Sequence, residues 1–174
     1  DCDQDGETNG FETTNGTNPN NPCSYTNAPA ATSPVYATWK LLDCDGDGSP
    51  NEIDPQPLNP CVGGSGTPVT TNAIWAAADC DQDGETNGFE TTKGTNPNDP
   101  CSYTNAPAAT NPVYATWSLL DCDGDGTPNP IDPQPLNPCN GGTGTPVTTN
   151  AIWMAADCDQ DGETNGFETT NGTN

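Results

Sequence analysis

The sequence predicts an elongated tandem-repeat rod of small modules, mostly loop with short helical turns, little strand and no large hydrophobic core. Three observations predict it. Apolar residues make up only 29% of the 174 residues, against roughly 45–50% in an ordinary globular domain. Nine cysteines are present, and cross-links are what core-poor modules use in place of a core. Residues 1–96 match residues 79–174 at 86 of 96 positions, which is a repeat of 78 residues.

Each 78-residue repeat contains two related halves, which we treat as separate modules. A module opens with Asp-Cys-Asp, passes through an acidic segment and turns at Asn-Pro-Cys. A connector rich in Pro, Thr, Gly and Ala then leads to a Trp just before the next module. Modules that contact only their neighbours form a quasi-one-dimensional array. We predict long modules at 1–42 and 79–120, short modules at 43–78 and 121–156, and a truncated long module at 157–174.

The charge excludes several classes of function. The chain carries 25 acidic residues against two lysines, has no His, and has a formal net charge of -23. Such a polyanion is a poor partner for nucleic acid, and no apolar run approaches the roughly 18 residues that span a bilayer, so we expect neither nucleic-acid binding nor direct membrane insertion. We also expect no enzyme and no catalytic residue, because no nucleophile–base pair is recognisable.

Five segments match the twelve-residue pattern DxDxDGxxNxx[ED], which is the spacing of the EF-hand calcium loop. They contain 24 of the 25 acidic residues, whereas a solvated disordered tract would scatter them. Calcium takes six to eight hard oxygens at about 2.3–2.6 Å, and alternate residues of a tightly curled loop supply them. The sequence therefore predicts calcium as the cofactor, about one ion in each of the five loops, and the fold class becomes one of disulfide- and calcium-stabilised modules.

Ligands are numbered here by their position in each twelve-residue loop. Positions 1, 3 and 5 are predicted to give carboxylates, position 7 its backbone carbonyl, position 9 a direct or water-mediated contact, and position 12 a closing carboxylate. Glu closes the long loops bidentately; Asp closes the short loops and is one methylene shorter, so we predict weaker binding there. The predicted ligands are Asp1, Asp3, Asp5, Glu7, Asn9 and Glu12; Asp43, Asp45, Asp47, Ser49, Asn51 and Asp54; Asp79, Asp81, Asp83, Glu85, Asn87 and Glu90; Asp121, Asp123, Asp125, Thr127, Asn129 and Asp132; and Asp157, Asp159, Asp161, Glu163, Asn165 and Glu168.

Short helices are predicted on either side of the loops. Gly16 is placed to cap a one- or two-turn helix after the first loop, and Pro19 to stop the chain from continuing it. Before the second and third loops, Ser33-Pro34 and Asn72 resemble helix starts for PVYATWKLL and AIWAAA. An extended strand is the alternative for both segments.

The nine cysteines, without His or a CxxC pair, indicate disulfides in an oxidising, extracellular compartment. We predict pairing within modules, as Cys2–Cys23, Cys44–Cys61, Cys80–Cys101 and Cys122–Cys139, with Cys158 awaiting a partner. The alternative pairs each module with the next, as Cys23–Cys44, Cys61–Cys80, Cys101–Cys122 and Cys139–Cys158. Sequence separations barely discriminate between these two patterns.

Four tryptophans lie four residues before the first Asp of a loop: Trp39, Trp75, Trp117 and Trp153. We predict that they anchor each connector onto the next module, joined by the phenylalanines of the long loops and by the tyrosines. A carbohydrate-stacking platform is the alternative for an exposed Trp.

The segment DCDQDGETNGFETTNGTNPNNPC resembles bacterial thrombospondin type 3-like calcium-binding repeats. The tandem arrangement W-x-x-x-DCD-x-DG…GTNP-x-x-PC is similar to the repeat arrays of giant cell-surface adhesins of gliding Bacteroidota. The resemblance covers the whole chain and implies calcium ligation at the loop positions and a location on the outside of the cell. Pro50 and Pro55 of the first short loop depart from the commoner pattern.

These expectations combine into a predicted function. The chain is expected to be a structural calcium-binding stalk of an extracellular adhesin or surface filament, rigidified by Ca²⁺ and intramodular disulfides, which presents an adhesive tip away from the cell. Its partners are neighbouring repeats of the same long chain, with lateral self-association left open; gliding motility rests on the resemblance alone. The alternative is a binding module, either for dockerin-like protein docking or for glycan adhesion through exposed tryptophans.

Overall fold

The computed structural model describes residues 1–142 and 144–173. The described residues form short helices separated by loops and turns, and they contain no strand. The predicted mostly-loop architecture with short helical turns is therefore confirmed. The helices are α1 Asn9–Asn15, α2 Tyr36–Trp39, α3 Ala73–Ala77, α4 Asn87–Lys93, α5 Tyr114–Trp117, α6 Ala151–Ala155 and α7 Asn165–Asn171.

Helix α1 grows out of the last third of the first loop. The Thr8 side chain caps its start by accepting from the Phe11 N–H at 3.4 Å, which satisfies one of the amides that a helix leaves unpaired at its N-terminus. Gly16 ends it in the left-handed conformation, at φ 81°, and its N–H donates to the Glu12 carbonyl at 2.8 Å. The predicted helix and its glycine cap are confirmed, and α7 repeats both caps.

The segments before the second and third loops are helical, so the strand alternative is wrong. Asn72 caps α3 as predicted, because its side-chain oxygen accepts from the Ile74 and Trp75 amides at 2.8 and 3.4 Å. The cap predicted at Ser33 is wrong. Helix α2 begins at Tyr36 without a side-chain cap, and the backbone carbonyl of Ser33 instead accepts from the Tyr36 N–H at 3.1 Å.

The interior is built mainly from the loops' own polar side chains. In the described part of the chain, the buried apolar residues are three tryptophans and two half-cystines: Trp39, Cys44, Trp75, Trp117 and Cys122. Most other buried side chains are Asp, Glu or Asn, and the largest of those that are completely buried is Glu12. The expected lack of a large hydrophobic core is confirmed, and carboxylates occupy the space that apolar groups fill in an ordinary domain.

The chain divides into two compact units. The first contains Asp1–Cys80 and Thr86–Thr92, and the second contains Asp81–Glu85 and Lys93–Asn174. In the first unit, Tyr25 and Tyr36 pack on Trp39 with ring centroids 5.6 and 6.0 Å apart. The second unit repeats this cluster with Tyr103 and Tyr114 on Trp117, at 5.9 and 5.7 Å. The predicted boundaries between long and short modules stay predictions.

The tryptophan prediction is confirmed where the side chain is buried. Trp39, Trp75 and Trp117 are at most 5% exposed, so they act as packing anchors and present no open ring face for a carbohydrate. The prediction for the phenylalanines is wrong in the first and last loops, where Phe11 and Phe167 are 44% and 52% exposed.

Among the described residues no helix has the length and apolarity that a membrane crossing requires.

Candidate metal centres

The carboxylates of each loop first shape the loop itself. In the first loop, an Asp1 oxygen accepts from the Gln4 N–H at 2.8 Å, and an Asp5 oxygen accepts from the Glu7 N–H at 2.8 Å. These are Asx turns, in which a short acidic side chain bonds the backbone ahead of it. Gly6 is the middle residue of the second turn, where its φ of 100° is a conformation that favours glycine. The second carboxylate oxygens are left for other partners.

Those curls bring three carboxylates of each loop together. One oxygen from positions 1, 3 and 5 lies within 4.8 Å of the others. Position 5 is completely buried in the first and third loops, as Asp5 and Asp83, and position 3 is completely buried in the short loops, as Asp45 and Asp123. The five triplets can hold a metal ion; they are Asp1, Asp3 and Asp5; Asp43, Asp45 and Asp47; Asp79, Asp81 and Asp83; Asp121, Asp123 and Asp125; and Asp157, Asp159 and Asp161.

The closing acid of the first loop is the clearest sign of a cation. Glu12 sits on α1 and is 0% exposed, and neither of its carboxylate oxygens has a hydrogen-bond partner among the described residues. The outer oxygens of Asp3 and Asp5 share this condition. A buried carboxylate without a partner is unfavourable by several kcal/mol. Four such oxygens in one loop are arranged as ligands for a cation.

The short loops close differently. Asp54 and Asp132 each use one oxygen to accept from a backbone amide two residues ahead, at 2.8 and 2.7 Å, which leaves only the other oxygen without a partner. Gly63 of the connector lies directly against the Asp54 carboxylate, where a Cβ would collide with it. The short loops are therefore arranged for a closing ligand of one oxygen, whereas Glu12 offers two.

The pKa values of several loop acids, among them Glu12, Asp45 and Asp123, are raised because burial disfavours their charged form and neighbouring carboxylates repel one another. Burial, followed by repulsion from Asp3 and Asp5, raises the pKa of Glu12. In the short loops, burial is again the largest cause, and it raises the pKa of Asp45 and of Asp123 to about 6. A divalent cation reverses this balance, since it stabilises the ionised carboxylates.

The asparagine at position 9 has a structural task. In the second loop, the Asn51 side-chain oxygen accepts from the Cys44 N–H at 3.2 Å, and its amide group donates to the Trp39 carbonyl at 3.0 Å. Asn87, Asn129 and Asn165 make the same pair of contacts, to the cysteine of their own loop and to the tryptophan of the preceding helix. These bonds assign the asparagine to fixing the loop on the preceding tryptophan helix, and its predicted contact with the ion stays a prediction.

The side chain at position 7 has a role that the sequence reasoning missed. The Glu7 carboxylate accepts from the backbone amides of Thr26 and Asn27 at 3.0 and 2.9 Å, and Glu85 does the same with Thr104 and Asn105 at 2.9 Å each. The available signal was the correlation of position 7 with connector type: Glu precedes the Ser-Tyr-Thr-Asn connectors, while Ser or Thr precedes the Gly-rich ones.

The disulfides join consecutive modules, so the prediction of pairing within modules is wrong. They are Cys23–Cys44, Cys61–Cys80, Cys101–Cys122 and Cys139–Cys158, with Cα–Cα distances of 5.1–5.3 Å. In the second to fifth loops, the position-2 cysteine is bonded to the cysteine at the start of the connector that leads into that loop. Cys158, expected to await a partner, is paired, whereas Cys2, expected to pair with Cys23, is free and exposed.

Comparison with known proteins gives no family assignment. No protein-family model, curated protein or solved structure matches the chain. The resemblance to thrombospondin type 3-like repeats therefore stays a proposal that rests on the loop and cysteine pattern. Four disulfides are typical of extracellular proteins.

Proposed function

We propose that this chain is a calcium-binding structural segment of an extracellular adhesin or surface filament, a stalk of thrombospondin type 3-like repeats that holds an adhesive tip away from the cell. The observation that carries the proposal is the buried Glu12 carboxylate, whose two oxygens have no hydrogen-bond partner and which faces the acids of its own loop. Nothing in the proposal requires catalysis, since the acids are committed to the loops.

Calcium fits these loops better than magnesium does. The first loop offers three carboxylates, the Glu12 carboxylate with two available oxygens and backbone carbonyls, all from the protein. Calcium accepts six to eight such oxygens in flexible geometry, whereas magnesium demands a near-ideal octahedron and keeps several waters. Five Ca²⁺ ions would take the formal net charge from -23 to about -13.

The mechanical role follows from where the carboxylates lie. Because they fill the interior, repulsion among them loosens the modules when no cation is bound, and a bound ion draws the loop together. The ion thus supplies the cohesion that a hydrophobic core supplies elsewhere, and we propose that the resulting array is an elongated, stiff spacer. Glycan adhesion through Trp39, Trp75 or Trp117 is not favoured, because these rings are buried.

The direct test is calorimetric titration of the full chain with calcium, with magnesium as the competing ion. Glu12→Gln removes one closing carboxylate, so we expect the variant to lose one ion or to bind it at least tenfold more weakly. Glu52→Gln is the matched control, because Glu52 lies in a loop but is paired with Lys40 at the surface, with a nitrogen–oxygen distance of 3.1 Å. Equal titrations for the wild type and Glu12→Gln would refute the metal assignment.

The spacer role is tested separately by small-angle X-ray scattering of the same chain with calcium and with a chelator. We expect a larger maximum dimension and a stiffer profile in calcium. Calcium binding accompanied by superimposable scattering profiles would leave the metal sites standing and eliminate the rigid stalk. Retention of a soluble glycan or protein ligand by the isolated chain would favour a binding module instead.

A further inference from the structure

We propose that Glu7 and Glu85 are positioning residues that couple the ion in a long loop to the order of the connector leading to the next short loop. The inference rests on the proposed calcium binding and deepens it. It concerns the side chain at position 7, for which the calcium-loop pattern specifies only a backbone carbonyl.

The contact between loop and connector is a carboxylate that accepts two consecutive backbone amides. Glu7 is 7% exposed and accepts from Thr26 at 3.0 Å and Asn27 at 2.9 Å. Glu85, also 7% exposed, accepts from Thr104 and Asn105 at 2.9 Å each, and from the Asn105 side chain at 3.1 Å. A buried ionised acceptor makes these bonds stronger than neutral ones. The connector backbone has no helix or strand at this point, so the hydrogen bonds to the glutamate hold these backbone amides in place.

The same residue also belongs to the ion site. The Glu7 N–H donates to the Asp5 carboxylate at 2.8 Å, and the Glu85 N–H donates to Asp83 at 2.8 Å. The position-7 carbonyl is the predicted backbone ligand of the ion. Ion binding therefore fixes the backbone of the residue whose side chain holds the connector, and loss of the ion frees both.

The connector carries the constraint onward within each unit. Tyr25, next to Thr26, packs edge-on against Trp39 at 5.6 Å between ring centroids, and the Trp39 carbonyl accepts from Asn51 of the second loop at 3.0 Å. The second unit repeats this sequence of contacts through Tyr103, Trp117 and Asn129. A continuous series of packed and hydrogen-bonded groups thus links each long loop to the following short loop.

Short loops use a weaker version of the device. The Ser49 hydroxyl donates to the Gly63 carbonyl and accepts from the Ser65 N–H, both at 3.1 Å. These are neutral hydrogen bonds, so the coupling of a short loop to its connector should be weaker than that of a long loop.

Hydrogen–deuterium exchange of the full chain, read by mass spectrometry with calcium and with chelator, tests the proposal. Peptides covering 24–33 and 102–111 report the two connectors and differ in mass at Ser33 and Asn111. In calcium, we expect Glu7→Gln, which retains one acceptor oxygen, to speed exchange in 24–33 by roughly tenfold, and Glu7→Ala to speed it further. Peptide 102–111 should not change in either variant. Glu163→Gln is the matched control, because Glu163 occupies the same loop position but is exposed, and its carboxylate accepts from no connector amide among the described residues.

Each outcome decides one question. Faster exchange confined to 24–33 in both Glu7 variants, with wild-type protection that depends on calcium, supports the coupling. Unchanged exchange in both variants overturns it, and so does wild-type protection that is equal with calcium and with chelator while calcium binds. Absence of calcium binding in the titration overturns the proposed function as well, so the two failures are distinguishable.

Discussion

Replacing Asn51 by alanine should loosen the second loop far more than the same replacement at Asn9 loosens the first. Asn51 satisfies two buried backbone groups, the Cys44 N–H at 3.2 Å and the Trp39 carbonyl at 3.0 Å. Both residues are nearly inaccessible, at 3% and 4% exposure. The alanine variant loses both hydrogen bonds and leaves the Cys44 N–H without a partner, whereas the Trp39 carbonyl keeps its bond from the Leu42 N–H at 3.1 Å.

The expected size follows from those two groups. A buried backbone donor left unsatisfied costs about 1–3 kcal/mol and the second lost hydrogen bond about 1 kcal/mol, so Asn51→Ala should destabilise the loop locally by about 2–4 kcal/mol. Among the described residues Asn9 donates to no tryptophan carbonyl, and its side-chain oxygen accepts from the exposed Cys2 N–H at 3.0 Å. Asn9→Ala should therefore cost about 1 kcal/mol or less.

Local hydrogen exchange is the suitable assay, because an array of modules does not unfold as a single two-state system. In calcium, peptides covering 43–54 should exchange at least tenfold faster in Asn51→Ala, whereas peptides covering 1–12 should change little in Asn9→Ala. Similar effects in the two variants would refute the assignment of the position-9 amide to the tryptophan carbonyl, and would return the asparagine to its predicted place beside the ion.

Three further predictions follow from the site and the core. As chelator is added, calcium should dissociate from the loop that Asp54 closes before it dissociates from the loop that Glu12 closes, because Asp54 has one available carboxylate oxygen and Glu12 has two. Hydrogen exchange resolved by loop measures the order, and simultaneous release from both loops would contradict the prediction. Without calcium, the fold should be most stable below about pH 4 and should lose stability as the pH rises through about 6. The reason is that folding raises the pKa of Asp45 and of Asp123 from 3.8 to about 6. In calcium the trend should reverse, and thermal unfolding followed by circular dichroism measures both cases. Trp117→Ala should destabilise the second unit by about 3–5 kcal/mol, since it empties a site that is 3% exposed. A loss of less than about 1 kcal/mol in the hydrogen-exchange protection of that unit would show that the ring is not an anchor.

The local features of the fold could be predicted because they depend on neighbours in sequence. The Asp triplets, the Gly16 cap and the Asn72 cap are each determined within a few residues, and the structure places them accordingly. Ser33 failed as a cap because α2 begins later, at Tyr36, where backbone hydrogen bonds alone start the helix.

The disulfide pairing could not be predicted, because it depends on how a connector lies against the next loop. Both patterns close loops of similar size, so chain entropy does not separate them. The deciding contacts are long-range: Asn51 ties its loop to Trp39, and the Glu7 carboxylate ties the connector to the preceding loop. These contacts lead the connector from one loop to the next and bring Cys23 beside Cys44. The role of Glu7 could not be predicted either, because its partners Thr26 and Asn27 are 19 and 20 residues away in the sequence.

The pairing of consecutive modules decides which parts of the polypeptide bear tension when its two ends are pulled apart. The disulfides Cys23–Cys44 and Cys61–Cys80 join residues with sequence separations of 21 and 19. The disulfide carries the tension in each case, so the connector between its two cysteines carries none. The covalent load path runs instead through Cys44 to Cys61, which is the stretch that contains most of the second calcium loop and its closing Asp54. To lengthen under force, the chain must first pull that loop apart, so if the loop binds calcium as proposed, the surrounding calcium concentration sets the force at which the chain yields.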